Sequence, residues 1–418
     1  TGEISGDDHG ALLKTANANV TVENLASISG ETYDGLRIRT YGGEITVRDI
    51  GSATSNGVVE TVPLINSFAN YAVNVDSRIR APELDSNGDR VKNAFGYNQY
   101  TYSGGNGISI QNVTIPTFEA DDDAQTPDIS SANGIRALSG TGAINLGFGD
   151  LDDDADDEAN AIGDIFARGT GIYARSDGGR IDINTKGKIE TGYIGVSVDN
   201  YGTGNTPLVT QDASSACDDA IEVDMRASAG NAVITTYGEI SAFRDGIDVN
   251  HQGNGNVEVT TWGNITTTGQ AGADGIDINH EGEGNLTVKT NAGIDAAKRG
   301  INLKTDNGGD INVTTAGLIA VDDDGINIDN HDLGPGLDSE RFTTQLNVGA
   351  DIIAGDDGID VDTIDTGGVE IRLKADVDIS GEGGYGIGVD SRDGIGAISV
   401  EGFVSPDTGS IFGSVSGA

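Results

Sequence analysis

The sequence contains few of the residues that usually cross-link or interrupt a fold. Its single cysteine, Cys217, excludes an intramolecular disulfide, although extracellular proteins often use such staples. Only 7 of the 418 residues are proline. Basic residues number 24 against 67 acidic ones, a net charge of −43, which disfavours polyanionic nucleic acid as a partner. No apolar run approaches the ~18 residues of a membrane span, so we expect no membrane insertion of this segment.

What the sequence has in excess is glycine, 64 residues, and repetition. The dipeptide Gly-Ile recurs at 246, 275, 300 and 325, so successive copies are 29, 25 and 25 residues apart. In the first copy Ile247 and Val249 alternate with polar residues, a Gly-rich turn follows, and Val257 and Val259 alternate again before Ile265. The next two copies keep the same internal spacing, although the loop that closes each copy varies.

Strict alternation predicts short strands with one buried face. Three such strands separated by turns, in a unit of about 25 residues, form one coil of a parallel β-helix. The sequence therefore predicts an all-β fold, a single-stranded right-handed parallel β-helix of about 13 or 14 coils over residues 1–418. The equivalent residues Ile247, Ile276, Ile301, Ile326 and Ile359 are expected to stack as one interior ladder.

Further coil starts are predicted at Gly10, Gly35, Gly107, Gly134, Gly171, Gly195, Ala220, Gly358 and Gly386, with one or two disguised coils between 57 and 75. The recurring glycine indicates unusual backbone angles or a close backbone approach.

Five stretches fit the template poorly. Residues 51–106 are predicted to form an irregular aromatic-rich insertion, and residues 116–132, 147–168, 200–218 and 329–345 to form loop excursions. Six of the seven prolines lie in or at the edges of these stretches, as expected if proline is excluded from a central ladder.

The repeat pattern from Gly246 to Ile265, Gly275 to Ile294 and Gly300 to Ile319 resembles the passenger regions of bacterial autotransporters. That resemblance implies a right-handed β-helix that is exported and presented extracellularly, at the outer surface of a Gram-negative cell, where relatives are commonly adhesins. The calcium-binding nonapeptide β-roll is a weaker alternative, because "GGDINV" and "GGRIDIN" miss its second spaced glycine and the period differs.

Acidic residues immediately before Gly-Ile predict the one candidate metal site. Asp323 and Asp324 precede Gly325, and Asp356 and Asp357 precede Gly358, so adjacent coils would bring four carboxylates together. Like charges opposite each other destabilise a ladder, and Ca²⁺ with oxygen ligands would relieve the repulsion. The alternative is an acidic surface stabilised by solvation alone. No cofactor is expected to be required.

Two other constellations are weighed against simpler structural roles. Outward positions such as Asp248 and Asp277 form acidic columns that could serve glycoside hydrolysis, but columns that continue along the chain favour a solvated face. His251 and His280 occupy equivalent turn positions on neighbouring coils, and His331 recurs near the same place in a later coil. We interpret the first two as polar turn residues rather than a transition-metal pair. We therefore expect no catalytic residues.

The aromatic cluster Phe68, Tyr71, Phe95, Tyr97, Tyr100 and Tyr102 offers contact area for a partner, and Tyr97, Tyr100 and Tyr102 are the candidate partner-binding residues. We expect a secreted or cell-surface structural or adhesive solenoid, a rigid acidic rod that presents loops to a surface glycan or protein. Exposed terminal strands would allow identical subunits to stack end to end into a filament. The alternative is a polysaccharide lyase or glycoside hydrolase on a β-helix scaffold.

Overall fold

The computed structural model describes residues 3–6, 9–25, 27–30, 33–50, 53–55, 71–82, 100–103, 106–113, 133–147, 161–226, 230–269, 272–307, 309–331, 343–364, 368–374, 376–392, 398–401 and 415–417. Within these ranges the chain is all-β, without a helix, and most strands lie in three long parallel sheets, in addition to a short three-stranded parallel sheet and one antiparallel pair. No described segment has the length and apolar character of a membrane-crossing helix. The predicted parallel β-solenoid is therefore confirmed.

The chain divides into two compact units, Thr1–Lys188 with Val198–Gly204, and Ile189–Ser197 with Asn205–Ala418. The first unit contains one strand series for each of the first two sheets and several shorter strands. Its first-sheet strands are β2 (Ala11–Thr15), β5 (Leu36–Thr40), β8 (Tyr71–Asp76), β12 (Asn133–Ser139) and β15 (Ile172–Ser176). Its second-sheet strands are β3 (Val20–Leu25), β6 (Ile45–Ile50), β11 (Ile108–Val113), β13 (Ile144–Leu146) and β16 (Ile181–Asn184). The shorter strands are β1 (Glu3–Gly6), β4 (Ser27–Gly30), β7 (Ala53–Ser55), β9 (Ile79–Pro82), β10 (Tyr100–Ser103) and β14 (Ile165–Ala167).

The second unit contains three strand series. Its third-sheet strands are β17 (Ile189–Thr191), β20 (Ala213–Ser215), β23 (Ile240–Ala242), β26 (Ile265–Thr267), β29 (Ile294–Ala296), β32 (Ile319–Val321), β35 (Ile352–Ala354) and β38 (Ile379–Gly381). The first-sheet strand β18 (Val196–Asn200) is divided between the units. Its second-sheet strands are β19 (Thr206–Thr210), β22 (Ala232–Thr236), β25 (Val257–Thr261), β28 (Leu286–Thr290), β31 (Ile311–Thr315), β34 (Thr343–Val348), β37 (Gly368–Leu373) and β40 (Ile398–Glu401). Its first-sheet strands are β21 (Ile221–Met225), β24 (Ile247–His251), β27 (Ile276–His280), β30 (Ile301–Thr305), β33 (Ile326–His331), β36 (Ile359–Ile364), β39 (Ile387–Arg392) and β41 (Val415–Gly417).

In-register pairing of like residues builds the core of the second unit. Ile247 pairs with Ile276, Ile276 with Ile301, Ile301 with Ile326 and Ile326 with Ile359, and each of these isoleucines is fully buried. The outward residues that alternate with the interior ones along each strand are half-buried or exposed, which gives β24, β27 and β30 their alternating burial. The predicted interior ladder is thus confirmed, because a period of two keeps every apolar side chain on one face.

The recurring glycine is required by close approach and not by a left-handed backbone. A Cβ added to Gly300 would lie 2.5 Å from the Gly325 carbonyl oxygen and 2.6 Å from Cγ2 of Ile319. Gly246 and Gly275 meet the same two kinds of atom, the next glycine's oxygen and a third-strand isoleucine. The glycine therefore lets the third strand pack directly against the start of the first strand.

Three details differ from the sequence-based expectation. The strand after Gly107, β11, pairs with β6 and β13 and so belongs to the second sheet, while the disguised coil start is β8 at Tyr71. Residues 200–218 contain the regular strands β19 and β20, and Pro207 lies within β19 opposite Val233 of β22, so this proline is not excluded from the ladder. The complete turns number about 11, of about 26 residues each, although the first and second sheets contain 14 and 13 described strands, the number expected for 13 or 14 coils.

Candidate functional site

Most first-sheet strands of the second unit follow a glycine, and the residue before that glycine is usually an aspartate. The carboxylate of this aspartate accepts a backbone N–H from the next turn. Asp219 accepts the backbone N–H of Asp245 at 2.9 Å, and Asp245 accepts that of Asp274 at 2.7 Å. Asp274 in turn accepts the backbone N–H of Arg299 at 3.1 Å, and Asp324 that of Asp357 at 3.1 Å. One oxygen of each aspartate therefore links its turn to the next turn.

The same device recurs before the second-sheet strands. Asn231 accepts the backbone N–H of Asn256 at 2.9 Å, Asn256 that of Asn285 at 2.9 Å, and Asn285 that of Asp310 at 3.0 Å. A third column precedes the third-sheet strands, where Asp351 accepts the backbone N–H of Asp378 at 2.8 Å. We call these columns the corner ladders. They give many Asp and Asn residues a role in holding turns together, which their spacing alone did not reveal.

The predicted calcium residues are brought together in part. Carboxylate oxygens of Asp323, Asp324 and Asp356 lie within 4.8 Å of one another. Asp357 is directed elsewhere, since its Oδ1 accepts the backbone N–H of Tyr385. Burial raises the pKa of Asp324, while the bond from the Asp357 N–H acts against that rise and the neighbouring carboxylates add to it. A cation could bind the first three residues, but Oδ1 of Asp324 already serves the corner ladder.

A second carboxylate cluster was missed by the sequence reasoning. Oxygens of Asp219, Asp245 and Asp248 lie within 4.8 Å of one another, and the first two residues are almost fully buried. Burial raises the pKa of Asp245 to about 7 and that of Asp248 to about 8, and neighbouring carboxylates add to both shifts. The shared position before Gly and the outward position after Ile were both visible in the sequence, but their proximity depends on the corner geometry.

Basic residues interrupt the acidic series at defined points. Arg299 occupies the corner-ladder position between Asp274 and Asp324, and its guanidinium binds both oxygens of Asp274 at 2.8 and 3.2 Å. Arg244 binds Asp218 at 2.7 Å and lies 3.6 Å from Asp219. The cluster around Asp248 and the cluster around Asp324 are therefore separated by a neutralised turn.

The predicted outward columns exist and are hydrogen-bonded from turn to turn. Asp248 pairs in register with Asp277, and Asp277 with Asn302. The Asn302 amide donates to Asp277 Oδ1 at 2.7 Å, and Asn327 donates to Asn302 at 2.8 Å. Burial raises the pKa of Asp277, and the bond from Asn302 limits that rise. Because its pKa is raised to about 8, Asp248 can stay protonated near neutral pH.

His251 and His280 are not turn residues. They end strands β24 and β27, pair in register, and are fully buried with ring centroids 4.8 Å apart. Each Nε2 lies against a backbone oxygen, that of Gly230 at 2.8 Å and that of Gly255 at 3.0 Å. Burial lowers the pKa of both imidazoles, that of His280 to about 4. His331 is one residue further along its strand and faces outward, because Asn330 takes the interior position.

Of the candidate partner-binding residues, Tyr100 and Tyr102 lie within the described strands. Tyr97, Phe68 and Phe95 lie outside the described residues. Tyr100 and Tyr102 are in β10, which pairs antiparallel with β9. Tyr71, grouped with them by sequence, is fully buried in β8 and therefore belongs to the core. Comparisons with models of protein families, with curated proteins and with solved structures found no match to this chain.

Proposed function

We propose that the chain is a structural β-solenoid, exported and displayed at a bacterial cell surface, whose outward residues and loops make adhesive contacts. The observation that carries this proposal is the continuous in-register pairing of strands from Ile221 to Ile398 in the second unit, with corner ladders beside it. Interior apolar side chains pack from turn to turn, and corner Asp and Asn side chains hydrogen-bond from turn to turn, while the outward positions differ between turns. Such a body supplies a stable surface and does not depend on chemistry at one point.

Display on the cell can be tested directly. Antibodies against the purified chain should label intact cells of the encoding organism, and brief external protease treatment should remove that labelling while a cytoplasmic marker stays intact. Retention of the chain behind an intact envelope would refute the export part of the proposal. Binding of the purified chain to arrays of surface glycans and matrix proteins then tests the adhesive part, with heat-unfolded chain as the control.

End-to-end association of copies remains a proposal from the physics of unpaired strand edges. Sedimentation velocity over a hundredfold concentration range should show species larger than 42.8 kDa, the mass of one chain, if copies stack. A single species of monomer mass at every concentration would contradict stacking.

A polysaccharide-cleaving activity is the second candidate, and one observation favours it. The pKa of Asp248, raised to about 8 by burial and by Asp277 beside it, keeps a protonated carboxyl next to a second carboxylate near neutral pH. That combination is what a general acid and its partner need in glycoside hydrolysis. Reducing-end assays on acidic and neutral polysaccharides should then detect cleavage that disappears in the double variant Asp248→Asn, Asp277→Asn. Absence of cleavage by the folded wild-type chain would refute the enzymatic candidate, and the scaffold function would be the single remaining proposal.

A further inference from the structure

The first sheet of the second unit has a second outward column, two residues after the one that contains Asp248. Over three pairings it contains Lys304, Asp329, Asp362 and Asp390 in register. The Lys304 ammonium lies 3.2 Å from Asp306, a residue of its own turn. Three carboxylates therefore follow one another at the spacing of adjacent strands, an arrangement of like charges that destabilises a ladder.

His331 stands beside this column. Strand β33 continues its alternation for six residues, so Asp329 and His331, which flank the buried Asn330, both face outward. The register partner of His331 on the next turn is Ile364, which is half-buried. Within the described part of the chain, Nε2 of His331 is enclosed and has no hydrogen-bond partner. An enclosed ring nitrogen without a partner is costly unless something binds it.

The three side chains converge. One ring nitrogen of His331 and one carboxylate oxygen from each of Asp329 and Asp362 lie within 4.8 Å of one another. Two adjacent turns supply the donors, Asp329 and His331 from β33 and Asp362 from β36, so the paired backbone of the two strands holds them in place. A divalent ion between them would relieve the repulsion between Asp329 and Asp362 and would be bound by the imidazole nitrogen.

We propose that Asp329, His331 and Asp362 form a binding site for a divalent transition-type ion such as Zn²⁺. The donor set decides the class of ion, because imidazole nitrogen suits Zn²⁺, Co²⁺ and Ni²⁺ whereas Ca²⁺ and Mg²⁺ take oxygen ligands. Three protein ligands leave a further position for water or for a group on a partner molecule.

The other two clusters in the second unit lack this combination. Asp323, Asp324 and Asp356 provide only oxygen donors. Among Asp219, Asp245 and Asp248, oxygens of the first two already accept backbone N–H groups, and Arg244 lies beside Asp219. Glu258 serves as a matched control, because it is an exposed acidic residue at an outward position of β25, in the second sheet, and belongs to none of these clusters.

The test is a titration of the untagged full chain with Co²⁺ and Zn²⁺ at 150 mM NaCl and millimolar Mg²⁺, which saturates non-specific binding to an acidic surface. The wild-type chain should bind one Co²⁺ saturably, with visible absorption bands of nitrogen and oxygen coordination, and Zn²⁺ should displace it. His331→Asn should weaken Zn²⁺ binding at least tenfold, Asp362→Asn should also weaken it, and Glu258→Gln, which removes one negative charge elsewhere on the surface, should leave it unchanged.

Circular dichroism must first show that each variant retains the β-solenoid. Zn²⁺ affinity that is equal in wild type and in folded His331→Asn would overturn the site, as would displacement of Co²⁺ by Ca²⁺ at the same concentration as by Zn²⁺. Absence of any saturable Co²⁺ or Zn²⁺ binding to the wild-type chain would also overturn it.

Discussion

At the scale of single residues, the direction of each side chain decides its contribution. Ile301 points inward between Ile276 and Ile326 and is fully buried, whereas Asn302 points outward. Yet Asn302 is not a passive surface residue, because it donates to Asp277 and accepts from Asn327. An outward position in this fold thus contributes through hydrogen bonds along its column.

Replacing Ile301 by Asn should lower the free energy of unfolding by roughly 3–5 kcal/mol, because the change removes buried apolar volume and adds an amide without partners. Ile301→Val, which keeps the apolar character, should cost only about 1 kcal/mol. Urea unfolding followed by circular dichroism measures both. A loss for Ile301→Asn no greater than for Ile301→Val would contradict the interior ladder.

His280 should make the protein less stable in acid. Its folded pKa of about 4 lies below the ordinary value of 6.5 because the imidazole is buried and His251 is adjacent. The unfolded chain therefore binds the extra proton first, so the free energy of unfolding falls as the pH drops from about 6.5 to about 4, by roughly 3 kcal/mol.

The variant His280→Thr isolates this term, since Thr305 occupies the same interior position on the next turn. Its unfolding free energy should decline less than that of the wild-type chain over the same pH window. Parallel curves for the two proteins, measured by urea unfolding at a series of pH values, would show that the imidazole does not control acid stability.

At the scale of the element, the corner ladders hold successive strand starts in register. Asn285 accepts the backbone N–H of Asp310, and its own backbone N–H is donated to Asn256. Replacing Asn285 by Ala removes one acceptor and should cost about 1 kcal/mol. Asn285→Asp should retain most of the stability, because Asp310 performs the same task one turn on.

Thermal unfolding of the two Asn285 variants checks this prediction. Hydrogen exchange adds the location: the Asp310 amide should exchange faster in Asn285→Ala than in Asn285→Asp. Equal protection of that amide in both variants would mean that the side-chain acceptor contributes nothing.

At the scale of the whole molecule, the net charge of −43 should make stability depend on salt. Screening is effective beyond about 10 Å at 0.1 M ionic strength, so NaCl should reduce repulsion among the outward carboxylates. We expect Tm to rise by several degrees between 10 and 150 mM NaCl at pH 7.5. Near pH 4.1, the isoelectric point, the same addition should have little effect.

A calcium contribution at Asp323, Asp324 and Asp356 can be separated from screening in the same measurement. At matched ionic strength, millimolar Ca²⁺ should raise Tm above the value in EDTA, and Asp356→Asn should remove that difference. Equal Tm values for the wild-type chain in Ca²⁺ and in EDTA would leave screening as the full account.

Much of the fold follows from spacing. Ile247, Ile276 and Ile301 could be assigned to one interior ladder from sequence, because alternation and a repeated interval are local properties that parallel pairing preserves. The strand after Gly107 was assigned to the wrong sheet because Ile108 and Ile110 alternate just as the apolar residues of a first-sheet strand do. Alternation identifies a strand with one buried face, but it does not distinguish between the sheets of the coil.

The sequence by itself determined the parallel solenoid and its core, since each turn can bury its apolar face only by stacking on a copy of itself. Only the tertiary structure decided which polar residues meet. The cluster at Asp248, the buried pair His251 and His280, and the convergence of Asp329, His331 and Asp362 all depend on strand register and corner geometry. A shift of one residue, as between Asn330 and His331, moves a side chain from the interior to the surface.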